Sequence, residues 1–495
     1  MTPDQRLVIV GGGTAGWMAA NLLAHRWPDM PITLIETSHI GTIGVGEGST
    51  PSLKRFFERI GIAEADWMPR CNATWKTNIR FAGWSPDAPV PDYSHPFLSQ
   101  IDLHTTDAFI NNCRNRRLGH AVPTAPAEFL LNGVLASQAK APLAPPHFPF
   151  RMEYGYHFDA GLLGEFLRET AMARGVVHRD ARIVDAVMTE TGDIAAVLTD
   201  HGQAFAGDMF FDCSGFAALL IGAKLGVGFT SFRDNLFNDA AVVLPTPMIG
   251  TPPVETLATA LSSGWCWSIP LTNRFGNGYV YSSDHLSADA AEAELRKHLG
   301  WCDASQPARH LRFAVGQRNR HWAGNVLAVG LAQGFIEPLE ATALHLALGT
   351  LDMFMTAYER GGFTRQYADD VNARISDRIE RVRDYIVAHY TLNTRTDSAY
   401  WGDNRAHGQL SAPLRHILDV WYRRGDLGEE LARQRNLSHF GNESWHCLLA
   451  GYGAFPAATA PRDDAVDFHA ARGIGAFLHG CSLNFPTHAA ALAQA

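Results

Sequence analysis

An unbroken apolar run opens the chain. Leu7 to Val10 carries no polar residue to turn towards solvent, which predicts a strand buried on both faces. Glycines follow at 11, 13 and 16, then a helical run from Trp17 to Trp27. A second short strand, Pro31 to Ile35, ends in Glu36. The glycine-rich segment 37–51 is too long for a simple connection, and loops of that length are usually functional. Ser52 to Ile60 puts Phe56, Phe57 and Ile60 on one helical face. Residues 73–84 alternate as a strand through Trp75-Lys76-Thr77-Asn78-Ile79-Arg80-Phe81, and the Pro- and Ser-rich stretch 85–99 reads as loop. Helical patterning over 100–150 ends in a proline-rich connection, and a further helix is expected from Phe158 to Arg174. Strands then dominate. They fill 176–211, with turns at 191–193 and 201–202, and most of 226–290. The apolar run Val326 to Leu331 precedes a long helix from about Glu340 to Tyr358, and 364–495 is largely helical.

Strand, Gly11-x-Gly13-x-x-Gly16, helix, strand and acid fall in the register of a dinucleotide fingerprint. Gly11 permits the tight turn. Gly13, with Thr14, Ala15 and Gly16, lets backbone N–H groups approach a pyrophosphate at a helix N-terminus. Glu36 is placed to accept bonds from a ribose. The second strand–turn–helix comes roughly 310 residues later, whereas a nicotinamide dehydrogenase usually closes its first doubly wound domain within about 150. The expected fold class is therefore α/β. It is an FAD-binding Rossmann-like domain of the flavin monooxygenase type, interrupted by a β-rich segment and followed by a mostly helical C-terminal region. In segments, 1–84, 151–225 and 321–360 form the FAD-binding domain. Residues 85–150 are a substrate-side insertion, 226–320 a β-rich substrate domain, and 361–495 a helical substrate region.

Composition narrows the partners. A net charge of −9 argues against general nucleic-acid or anionic-membrane binding. No apolar run is long enough to span a membrane. Seven scattered cysteines, without a Cys-x-x-Cys or Cys/His zinc pattern, fit reduced core thiols in a cytoplasm, and no metal site is expected.

Three stretches could carry chemistry. Lys76, in an apolar and aromatic strand, is either a solvent-facing alternate position or a buried amine with a lowered pKa; the alternation alone favours the first. Glu337 and Glu340 flank Pro338, as carboxylates do in the first turn of a helix. The N–H groups of Thr342 and Ala343 could instead meet an anion. Trp265 and Trp267 share one face of a strand, where core packing is the plain reading. His345 reads as a core histidine.

Taken together, these stretches resemble the flavin-dependent tryptophan halogenase family over at least residues 6 to about 405. The resemblance rests on Gly11 to Trp17, Val45-Gly46-Glu47, Trp75-Lys76 through Arg80-Phe81, and Phe211 to Phe216. It rests also on Gly264 to Pro270 and Gly334 to Glu340, with Trp-x-Trp-x-Ile-Pro the most specific signature. The resemblance implies reduced FAD, supplied by a separate flavin reductase, which with oxygen and chloride or bromide yields hypohalous acid. That acid travels to a distinct chamber and halogenates an electron-rich aromatic. Lys76 and Glu340 match the family's catalytic pair. Lys76 would hydrogen-bond the hypohalous acid or become a haloamine, and Glu340 would stabilise the cationic intermediate and help remove its proton. FAD would be held by the fingerprint residues with Glu36, Glu47, Ile183, Leu331 and Leu344, and halide by Thr342 and Ala343. His95, Phe97, Trp265, Trp267 and Trp445 would line the substrate side. The loop 39–51 would link flavin and chamber as a strap. A homodimer is a further expectation.

The chain departs from the family in two places. The halide motif reads Phe335-x-x-Pro338-x-x-Ala341-x-Ala343 where the family commonly has serine and glycine at the last two positions. Enzymes for free tryptophan clamp its charged end with a tyrosine pair and an acid. This chain offers Ser444-Trp445-His446 and Gly451-Tyr452-Gly453, so indole, a substituted indole or a larger aromatic stands beside free tryptophan. A flavin-dependent hydroxylase of the same fold and a catalytically silent flavoprotein are the alternative readings.

Overall fold

A computed structural model describes residues 5–39, 46–88, 90, 92–301, 303, 305–435, 440–457 and 466–494. Positions 40–45 of the expected strap, and Cys302, lie outside the described residues.

The opening run forms the strand Leu7–Val10, buried along its length, at the centre of a six-stranded sheet. It pairs in parallel with Ile32–Glu36 on one side and Met209–Asp212 on the other. Val326–Ala328 extends the sheet beyond Met209–Asp212, and Val177–Asp180 extends it beyond Ile32–Glu36. Neighbours on the two sides of Leu7–Val10 thus come from parts of the chain far apart in sequence. That is a topological switch point, where α/β sheets place ligands at the carboxyl ends of their strands. The doubly wound arrangement expected from the pattern is present. The first helix, Thr14–Arg26, begins three residues earlier than its apolar run suggests.

The second sheet has eight strands. Gly264–Pro270 lies between Glu255–Leu261 and Arg274–Tyr281, antiparallel to both. Glu255–Leu261 then pairs in parallel with Asn78–Ala82, which pairs with Asp92–Pro96. The segment expected to be loop therefore contains a strand. Its alternation of buried Tyr93 and His95 with outward Asp92 and Ser94 is short, and the prolines around it hide it. A boundary at residue 84 falls between these two hydrogen-bonded strands.

A smaller sheet joins the two layers. Gly155–Phe158 pairs with both Glu47–Gly48 and Thr74–Lys76. Phe158 thus ends a strand, and the following helix is Ala160–Ala173, capped by Asp159. The alternating run at 73–84 is two strands in two different sheets. At Thr77 the chain passes from one to the other, its N–H on the Val254 carbonyl (2.8 Å) and its carbonyl on the Phe97 N–H (3.0 Å). The C-terminal part is helical, as expected. Ala368–Thr391 buries Ile375, Ile379, Val382, Tyr385, Ile386 and His389 at helical spacing, and one apolar core connects it to both sheets.

Candidate active site

The fingerprint loop sits at the switch point, and its glycines meet different demands. Gly11 has φ +107, and a Cβ there would fall 2.2 Å from the Cys213 carbonyl oxygen. A Cβ on Gly16 would lie 2.0 Å from the Gly11 carbonyl oxygen. Packing alone thus requires both to be glycine. A Cβ on Gly13 meets nothing within 4 Å. The space beside Gly13, at the N-terminus of Thr14–Arg26, is open on the side where a pyrophosphate would approach. Glu36 closes over Gly12, with His178 Nε2 3.1 Å from its carboxylate, and burial raises its pKa. The turn Gly330–Ala332 packs onto Ala15, and Leu331 lines a cavity of about 460 Å³ with Phe216, Phe313, Gly334 and Phe335. The open approach at Gly13 and the aromatic cavity beside Leu331 fit FAD. Glu47 lies on its short strand, where burial, with Asp159 nearby, pushes its carboxyl up to about 7. Ile183 opens the strand Ile183–Met188 and packs on the cluster containing Val10 and Ile35, while Leu344 is buried in the first turn of Ala343–Arg360. Gly13→Val is expected to leave the fold intact and weaken flavin binding at least a hundredfold; titration of FAD fluorescence measures this.

Lys76 is wholly buried, which overturns the solvent-facing alternative. Its strand belongs to the small inner sheet, so both faces are covered. Nζ has no hydrogen-bond partner among the described residues and lies 5.5 Å from the centre of the Phe97 ring. Burial pulls its pKa down to about 7, against the opposing pull of Glu340.

Glu340 does not stand in a helix. The long helix begins at Ala343, and Ala341 is left-handed at φ +55, so the first-turn reading of Glu337 and Glu340 is wrong. The left-handed residue turns the chain before the helix and leaves both carboxylates inside the protein. The two carboxylates have different partners. Glu340 is held by two histidines. His95 Nδ1 lies 3.0 and 3.1 Å from its oxygens, and His389 Nε2 lies 3.1 Å from Oε1. His389 Nδ1 in turn meets the Tyr452 hydroxyl at 3.0 Å. Burial raises the Glu340 pKa, but the charge and hydrogen bonds of His95 and His389 outweigh it and hold the carboxyl at about 2. Glu337 accepts from Trp265 Nε1 (2.7 Å), Tyr390 (2.7 Å) and Asn238 (2.8 Å). Trp265 is therefore anchored through its indole nitrogen, with Trp267 beside it at 6.1 Å between ring centres.

Thr342 and Ala343 start the helix Ala343–Arg360, and neither N–H donates to another described group. On the far side, Trp445 is buried edge-on against Tyr385 (4.9 Å), and Tyr385 stacks on Phe440 at 3.6 Å. The fold thus brings together Lys76, Glu340, His95 and Phe97. Sequence reading missed His389, the part of Tyr452 as its partner, Glu337 as the anchor of Trp265, and Tyr385. The i, i+4 pair Tyr385 and His389 on a buried helical face was the available signal.

Fold and site together define a flavin-dependent enzyme whose dinucleotide cleft and buried Lys–Glu chamber are built by different sheets. The tryptophan halogenase family model matches residues 6–468, and the chain belongs to that family. It is 35% identical to 7-chloro-L-tryptophan 6-halogenase KtzR of Kutzneria sp. (strain 744), over 92% of each chain. It is 35% identical to tryptophan 6-halogenase SttH of Streptomyces toxytricini, over 85% of this chain and 84% of that one. Among solved structures, BrvH, a flavin-dependent halogenase from Brevundimonas sp. BAL3, superposes with a TM-score of 0.85 at 34% identity over the whole of both chains. The protein is a flavin-dependent halogenase.

Proposed function

We propose that the protein halogenates a neutral, electron-rich aromatic, an indole without a free amino-acid end, through Lys76 and Glu340. FAD, when bound, supplies hypohalous acid from oxygen and halide, and a separate reductase supplies it reduced. The fingerprint glycines with Glu36, Glu47, Ile183, Leu331 and Leu344 hold the cofactor. Thr342 and Ala343 offer the halide, chloride or bromide, their N–H groups. Trp265, fixed by Glu337, and Trp267 keep the organic substrate from the flavin.

The observation that carries this reading is Lys76. A buried amine with no hydrogen-bond partner among the described residues is available to a small polar guest. Glu340 supports it: a carboxylate held ionised in an apolar chamber is placed for cationic charge on the ring. His95, Phe97 and Trp445 furnish aromatic surface for the substrate. Among the described residues, the Glu340 carboxylate is the charge that opposes the fall in the Lys76 pKa.

A substrate panel tests the proposal: indole, 3-substituted neutral indoles and free tryptophan, with reductase, NADH, FAD, oxygen and bromide. The expected kcat/KM for neutral indoles exceeds that for tryptophan at least tenfold, and a preference for tryptophan contradicts it. The rate should also carry a limb near pH 7, where Lys76 titrates, instead of near 10.5. A rate that rises through this limb identifies the neutral amine, hence a haloamine, and one that falls identifies the ammonium as a hydrogen-bond donor. A profile flat between pH 6 and 8 removes Lys76 from the rate.

A further inference from the structure

Behind Lys76 runs a chain of three buried side chains that the proposed chemistry leaves unused. The Thr74 hydroxyl donates to the Pro270 carbonyl at 2.7 Å. Its single proton is thereby committed, so its 2.9 Å contact with His157 Nδ1 has the histidine donating. His157 is wholly buried, and burial, with Lys76 and His488 nearby, drives its pKa down, so the ring is neutral. A neutral ring that donates from Nδ1 accepts at Nε2, and the group at Nε2 is the Thr256 hydroxyl, at 2.9 Å. The direction of all three bonds follows from the carbonyl at the end. Thr256 has spent its proton, and its oxygen has only lone pairs left to offer.

That oxygen faces the same place as the Lys76 amine. A side chain on Gly48 would start 3.2 Å from Lys76 Nζ and 3.3 Å from Thr256 Oγ1, with the His157 ring at 3.6 Å. The φ of Gly48 lies outside the range that favours glycine, so the backbone does not demand one there. What the glycine does is leave out a methyl that would press on both the amine and the acceptor-only hydroxyl, which converge on that side.

We propose that Gly48, Lys76 Nζ and Thr256 Oγ1 form a subsite for hypohalous acid, in which the acid's O–H donates to Thr256. An acceptor-only oxygen selects by chemistry. Hypohalous acid has a hydrogen to give, whereas halide and hypohalite have none and meet lone pairs. The subsite thus takes the neutral oxidant and turns away the anions. It also supplies a hydroxyl beside Lys76 in a chain that carries Ala341 where the family commonly has serine. Thr256 positions the guest, and His157 with Thr74 fixes the direction of Thr256. Glu340, from the segment before the long helix, acts on Lys76, while Lys76 and His488 act on His157 in the inner sheet.

The proposal rests on Lys76 receiving the oxidant, so Lys76→Ala is measured beside Thr256→Val, Thr256→Ser and Gly48→Ala. Each holoenzyme is run with bromide and an indole, and escaped oxidant is trapped with monochlorodimedone. Thr256→Val is expected to lower kcat at least tenfold, with KM for the indole within twofold, and to raise trapped hypobromous acid per product at least fivefold. Thr256→Ser, which keeps the hydroxyl, restores both to within threefold, and Gly48→Ala, which fills the space, leaks as Thr256→Val does. Thr256→Val or Gly48→Ala with wild-type leakage and kcat overturns the subsite. Full product from Lys76→Ala would instead overturn the functional reading beneath it.

Discussion

Replacing Lys76 by methionine is expected to give a protein that is more stable than the wild type and makes no halogenated product. The stabilisation follows from burial. Nζ is out of water without a hydrogen-bond partner among the described residues, and its pKa falls from 10.5 to about 7 on folding. A lysine whose folded pKa is depressed costs stability wherever the unfolded chain binds the proton and the folded one resists it. The cost is full below pH 7, shrinks between 7 and 10.5, and vanishes above. At neutral pH it amounts to something on the order of 4 kcal/mol. Methionine has nearly the same length and no charge to desolvate. Calorimetry should therefore show a higher melting temperature for Lys76→Met at pH 6–7, with the difference closing as pH approaches 10.5. Equal or lower stability at pH 6 would mean that the amine is not desolvated. A site that improves when its functional group is removed is one kept for chemistry.

Glu340→Gln should lower kcat for halogenation roughly a hundredfold or more, the usual loss when a group aimed at developing charge is removed. Glutamine keeps the shape but not the negative charge. It must also point its NH₂ group at one of the two histidines that now donate to the carboxylate. KM for the indole should change less than threefold, because the interaction lost belongs to the cationic intermediate and not to the neutral ring. The pair also carries a pH signature. With a folded pKa of about 2 against 4.5, Glu340 contributes stability that is present above pH 4.5 and disappears as pH falls through 2. The variant should therefore be less stable than the wild type at pH 7 and approach it in strong acid. A kcat within threefold of the wild type would take Glu340 out of the chemistry.

Much of the frame was legible because it rests on local patterns. Leu7–Val10, Ile32–Glu36 and Ser52–Ile60 follow from apolar runs bounded by glycine and proline, and the second sheet from β-rich runs with turns between them. What escaped was the direction in which functional side chains point. Lys76 and Phe81 sit in one alternating run, yet the run crosses between sheets at Thr77, and alternation cannot register a change of sheet. Glu337-Pro338 imitates a helix start, and nothing local reveals that Ala341 turns left-handed before the helix begins. His389 was one histidine among 22. Its role exists only because Ala368–Thr391 packs its buried face against Glu340, which is also met by His95 from 245 residues away.

Halide dependence is the direct test of the account. The enzyme is supplied with reduced FAD, oxygen and an indole, with and without bromide, and the product is read by mass spectrometry. The account predicts an indole carrying one bromine, formed only when bromide is present and absent with Lys76→Met. An oxygenated indole formed equally well without halide would contradict it.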